Sequence, residues 1–150
     1  MPYAVQSDIE NIFGVENVAL WSNITPGTTQ NAPANAARVA LALQYADDTI
    51  NEAMRNNGQY QIPLTLRGNA PGATMGLIVN CAATLAGAWL YKSRGMADAT
   101  GPDGQPSEGK MYVLNLERAQ MTWLKDVQKR KTGLPCTYIP MYSEQPRVMN

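Results

Sequence analysis

Histidine is absent from these 150 residues and cysteine nearly so, with Cys81 and Cys136 alone. Without histidine there is no Ser-His-Asp or Cys-His catalysis and no His-containing zinc site. Two cysteines 55 residues apart form neither a CxxC redox motif nor an all-cysteine metal site. Two lone thiols fit a reduced, cytosolic setting. An excess of charge is missing too: 12 Lys+Arg stand against 12 Asp+Glu, which argues against avid nonspecific binding to nucleic acid. The opening MPYAVQSDIE lacks the basic and apolar regions of a signal peptide. The expectation is a single soluble, intracellular domain, long enough to bury a core without disulfide or metal staples.

The charge that is present is unevenly spread. Residues 1–91 carry three arginines against six carboxylates, a net −3, and residues 92–150 carry nine basic against six acidic side chains, a net +3. Ends of opposite sign can steer identical subunits into head-to-tail contact.

The pattern along the chain predicts helices. Ser7 and Glu10 have the spacing of a capping box, Ile9, Ile12 and Phe13 supply an apolar face, and Gly14 offers a stop. A short second helix spans about Val15 to Trp21, followed by a polar Pro/Gly loop over 23–31. Pro33 fits the first turn of a long helix ending at Asn57, with Gly58 as its cap and Val39, Leu43, Ala46, Ile50 and Met54 as its buried stripe. Gln59 to Leu66 alternates, and Pro63 makes it an extended connector or edge strand. Thr74 caps a very apolar helix to Ser93, with Asn80, Thr84, Gly76 and Gly87 interrupting the apolar run. Such a helix is expected to be buried nearly all round rather than to span a membrane, with Cys81 a small core residue. Residues 94–109 read as an exposed loop. A last helix runs from Glu108 to Lys131 with Val113, Leu116, Trp123, Leu124 and Val127 inward, and Lys129, Arg130 and Lys131 in its last turn.

Residues 134–150 are of another kind. Pro135, Pro140 and Pro146 forbid a helix, yet Tyr138, Ile139, Met141 and Tyr142 are too apolar for a plain solvated tail. Such an arm needs a dock, on its own domain or on a neighbour. The reading is therefore all-α: a small bundle of two to three long helices plus short N-terminal ones over 1–133, and an extended C-terminal arm over 134–150.

Chemistry is hard to find. Asp47, Asp48 and Glu52 are the one cluster of carboxylates. Asp48 and Glu52 share a helix face, but a pair without a third ligand reads as a solvated face. Gly72 to Gly76 lacks a phosphate-loop pattern, and no serine has an evident base. Lys125, Lys129, Arg130 and Lys131 form the one basic cluster, a candidate partner or DNA-channel surface. Trp21, Trp89 and Trp123 read as core rather than as a base-stacking platform. No catalytic residue, metal ligand or cofactor emerges.

Several short motifs in order suggest a family. Tyr3-Ala4, then Ser7-Asp8-Ile9-Glu10 and Phe13-Gly14, precede a long helix bearing Ala46 and Ile50. Tyr60-Gln61-Ile62-Pro63-Leu64, the apolar helix Leu77 to Tyr91, and Trp123-Leu124 through Gly133 follow. Over residues 3–134 this resembles the small all-α head–tail adaptor (connector, head-completion) proteins of tailed bacteriophages, including the Mu-like prophage group. The loop at 22–33 and the arm are longer than in that group.

The resemblance implies a non-enzymatic virion protein, assembled in the host cytoplasm into a homo-oligomeric ring, commonly of twelve subunits. The ring would sit between the portal protein and a stopper or tail-completion protein, with packaged DNA passing through it unread and no membrane involved. The arm would then reach onto the portal through Tyr138, Ile139, Met141, Tyr142 and Arg147. The alternative is a small helical DNA-binding or regulatory protein using the basic cluster. A small hydrolase or metal protein is the third reading.

Overall fold

The longest helix begins where a side chain stands in for the missing carbonyls of its first turn. Asn35 accepts from the Arg38 amide at 3.2 Å, satisfying one of the amides that a helix start leaves unpaired. In the computed structural model, which describes residues 2–24, 32–68, 72, 74–94 and 108–139, five helices form: α1 (Gln6–Phe13), α2 (Val15–Ser22), α3 (Ala36–Asn57), α4 (Gly76–Lys92) and α5 (Glu108–Gln128). The fold is all-α. Among the described residues the β pairing consists of two isolated bridges, Tyr60 with Tyr138 and Leu66 with Cys136.

Helix ends depart from the sequence reading for identifiable reasons. Helix α1 starts one residue before Ser7, because Asp8 accepts from the Val5 amide at 2.8 Å and supplies the cap from inside the first turn. Glu10 is taken instead by the Gln6 side chain. Helix α3 starts at Ala36 rather than at Pro33, because Asn35 is the better cap. The Ser22 hydroxyl, at the end of α2, accepts from the Asn35 amide at 2.9 Å and joins the two helices. Met75 occupies the position before α4, and the Thr74 hydroxyl one residue earlier accepts from the Gly76 amide at 3.3 Å. Helix α5 ends at Gln128, three residues short of Lys131. Gly58 closes α3 in the left-handed conformation (φ 75°, ψ 3°), as its place after Asn57 predicts.

Helix α4 is the centre of the bundle and touches α1, α2, α3 and α5. Every residue from Cys81 to Ala88 is buried, and so are Ile78 and Leu90. Its many small side chains allow close approach: a Cβ built on Gly87 would lie 2.1 Å from Cε2 of Phe13, whose ring occupies that space. Val39, Ala42, Leu43, Ala46, Ile50 and Met54 of α3 form the expected buried stripe. Burying each large apolar side chain contributes about 1.5–3 kcal/mol. Val113, Leu124 and Val127 face inward from α5, while Leu116 and Trp123 pack half-buried against the core. Trp21 is buried and Trp89 half-buried. Lys92 bonds Glu117 at 2.6 Å, linking α4 to α5. No helix among the described residues is long and apolar enough to cross a membrane.

Candidate functional site

The connector after α3 and the segment after α5 are both extended, and the fold lays one on the other. The Gln61 amide donates to the Thr137 carbonyl at 2.8 Å, and the Thr137 amide donates to the Thr65 carbonyl at 2.8 Å. Farther out, Ile139 donates to Gln59 and Arg67 to Pro135, each at 2.9 Å. Residues 134–139 therefore form an antiparallel strap across 59–67. Thr137 serves both sides of a bulge over 62–64, where Pro63 has no amide to offer. That bulge turns Leu64 into the core, and the Leu64 amide donates to the Tyr3 hydroxyl at 2.9 Å.

Side chains lock the strap. The Tyr60 hydroxyl accepts from the Leu134 amide at 2.8 Å, and the Tyr60 and Tyr138 rings stack with centroids 5.2 Å apart. The Arg67 guanidinium lies 4.5 Å from the Tyr138 ring centroid and donates to the Leu134 carbonyl at 3.1 Å. Arginine suits this place because its planar head can stack and donate at once. Burial raises the Tyr60 phenol above its ordinary value, against the lowering effect of the Leu134 amide. Burial also pushes the Cys136 thiol up to about 11, with Arg67 pulling the other way. A thiol so placed is not a nucleophile near neutrality. Leu134 and Cys136 are buried, so the core includes residues that the sequence reading placed in the arm.

The structure distributes the predicted site residues. Tyr138 and Ile139 lie half-buried on the strap. Met141, Tyr142 and Arg147 lie outside the described residues. The basic cluster does not sit on one helical turn. Arg130 adopts φ 61° and donates to the Asn57 carbonyl from Nε at 3.3 Å and Nη2 at 2.9 Å, capping the end of α3. Lys131 stands 3.9 Å from Asp126. Lys125 and Lys129 are exposed. Lys125 helps line a groove of about 190 Å³ between α3 and α5, with Glu52 and Asn56 among its polar walls and Ala53, Met121 and Leu124 among its apolar ones.

The carboxylates divide in the same way. Asp47 accepts from the Tyr3 amide at 3.1 Å, and partial burial raises it above the usual carboxylate value. Asp48 and Glu52 are exposed. No group of three or more cysteines and carboxylates able to hold a metal occurs among the described residues. Cys81 is enclosed by the core and its thiol is pushed up to about 12 by burial.

Sequence reasoning missed Tyr60, Arg67 and Asn57. The Asn57 amide donates to the Val127 carbonyl at 2.6 Å, and its side-chain oxygen accepts from the Gln59 amide. A polar residue in the last turn before a glycine cap is too common a pattern to signal this. Toward the other end of α5 lies a second concavity of about 310 Å³, with walls that include Phe13, Trp21, Tyr91 and Tyr112. No protein-family model matches the chain, and no curated protein matches it.

Proposed function

We propose that the protein is a structural adaptor subunit of a tailed-bacteriophage head–tail junction, acting by assembly rather than by catalysis. Copies would form a ring, commonly of twelve, between the portal protein and a stopper or tail-completion protein. Packaged DNA would pass through the ring without sequence readout. The observation that carries this reading is the strap: the helical body pins residues 134–139 against 59–67, and the sequence that follows, with Met141, Tyr142 and Arg147, is the part this reading assigns to a partner. The order of the sequence motifs supports it independently. Each engaged tail costs about 1–2 kcal/mol per residue in backbone ordering, and a ring offsets that cost by presenting many tails at once.

The test is mass determination by light scattering, for the protein alone and mixed with the portal protein encoded nearby. A complex with many copies per portal ring is the expected result, together with loss of docking when residues 140–150 are deleted. Retained docking by that truncated chain would remove the arm from the reading. No association, combined with salt-sensitive DNA binding weakened by substituting Lys125 and Lys129, would replace the adaptor with the regulatory protein.

A further inference from the structure

Asn57-Gly58 is the chain's one Asn-Gly pair, the dipeptide in which an asparagine amide is lost most readily, because glycine has no Cβ to shield its nitrogen. The reaction needs neither enzyme nor cofactor. The Gly58 nitrogen gives its proton to water or hydroxide and bonds to Cγ of Asn57. The Cγ–Nδ2 bond breaks, ammonia departs, and a cyclic succinimide remains. Water then opens that ring at either carbonyl, giving an aspartyl residue or an isoaspartyl one whose main chain is longer by a carbon.

We infer that this pair is a deamidation site which the native fold holds shut, so that each opening of the α3 end exposes the chain to an irreversible change. Every group the reaction uses is engaged elsewhere in the folded chain. The Gly58 amide donates to the Met54 carbonyl at 3.0 Å. Nδ2 of Asn57 donates to the Val127 carbonyl at 2.6 Å, and Oδ1 accepts from the Gln59 amide at 3.1 Å. Asn57 is 2% exposed, which keeps water and hydroxide from it. It is also the last residue of α3, and a helical side chain points back toward the N-terminus, away from the next residue's nitrogen.

Arg130 completes the closure. Its backbone is left-handed (φ 61°), and its Nε and Nη2 reach the Asn57 carbonyl at 3.3 and 2.9 Å. A Cβ built on Gly58 would lie 3.9 Å from the same Nη2, so the guanidinium covers both residues of the pair. Refolding cannot undo the change. An acid at position 57 sets an acceptor against the Val127 carbonyl where an amide now donates. An isoaspartyl link moves Gly58 out of register with Met54. A modified chain therefore loses the joint between the ends of α3 and α5. This goes beyond the adaptor reading and does not depend on it.

Peptide mapping by mass spectrometry tests the inference, with the full-length chain followed over time in mildly alkaline buffer, native and in guanidinium chloride. The native rate is the unfolded rate multiplied by the population of the opened end, so deamidation at Asn57 should be at least about a hundredfold slower in the native chain. Gly58→Ala should suppress the reaction in denaturant, which identifies the attacking nitrogen. Arg130→Gly keeps the left-handed backbone and removes the guanidinium. It should raise the native rate about tenfold, the weight of a charge-assisted hydrogen bond, and leave the denatured rate unchanged. Returned to native buffer, the modified fraction should show a lower urea midpoint than the unmodified chain. Native and denatured rates that coincide, a native rate indifferent to Arg130→Gly, or a modified fraction as stable as the unmodified chain would each overturn the inference. The comparison of rates in the unsubstituted chain decides the matter even where Arg130→Gly fails to fold. No portal protein enters the measurement, so its failure is distinct from failure of the adaptor reading.

Discussion

Gly87 and Phe13 make one packing unit, although 74 residues separate them. The Phe13 ring meets Trp21 edge-on at 5.5 Å, and Trp21 meets Tyr91 in the same manner at 5.2 Å. Gly87→Ala therefore has no flexible side-chain end to push aside, and the loss expected from such overpacking is about 1–3 kcal/mol, read from a urea midpoint. Asn57→Ala leaves the Gln59 amide and the Val127 carbonyl without that partner, again at a cost of about 1–3 kcal/mol; the same denaturation series measures it. Alkali reads the buried acids together. Cys81 and Cys136 hold their protons to about 12 and about 11 instead of 9.0, and the phenols of Tyr3 and Tyr60 are raised as well. The unfolded chain releases these protons first, so their contribution is complete at neutral pH and is lost progressively as pH climbs above about 9. The urea midpoint should fall in that window, and Cys81→Ala should flatten the fall. The sequence marks Cys81 as a small core residue, and the structure buries it, but the partners of Gly87, Asn57, Tyr3 and Tyr60 are not announced there. Gly87 reads there only as an interruption of an apolar run, because its partner is supplied by another helix.

At the scale of elements, periodicity carried most of the architecture. The α3 stripe and the all-round burial of α4 follow from apolar spacing, and Gly58 marks a stop that the backbone uses. The ends that shifted did so where a side chain acted from an unexpected position. Asp8 capped α1 from within, and Arg130 left α5 early to reach the Asn57 carbonyl. The strap was half legible: prolines excluded a helix and apolar residues demanded a surface. Its bed was not, because the Tyr60–Tyr138 bridge joins residues 78 apart. Truncation separates its two halves. Deleting 134–150 removes buried Leu134 and Cys136, and losing a buried leucine alone costs about 2–5 kcal/mol, so the melting temperature should drop steeply. Deleting 140–150 keeps both residues and the Tyr60–Tyr138 stack, and should lower it by no more than a few degrees.

For the whole molecule, the position of α4 sets the hierarchy of stability. A helix that packs on all four others cannot lose its contacts piecemeal, so its amides between Cys81 and Leu90 should exchange with deuterium most slowly, at the rate of global unfolding. Mass spectrometry of timed exchange checks this against α2, whose Val15 and Leu20 are exposed. Composition already anticipated a central helix, whereas the bed on which the first and last described segments would gather could not be read from it. They gather on the connector. Tyr3 takes the amide of Leu64, and Thr137 donates to the carbonyl of Thr65, its neighbour. The first and last described segments thus share one short bed, which makes the chain a candidate for circular permutation. A Gly/Ser link from Ile139 back to Pro2, with new termini opened between 95 and 107, rewires the order of the helices while keeping their packing. Such a permutant should fold with the native far-ultraviolet spectrum.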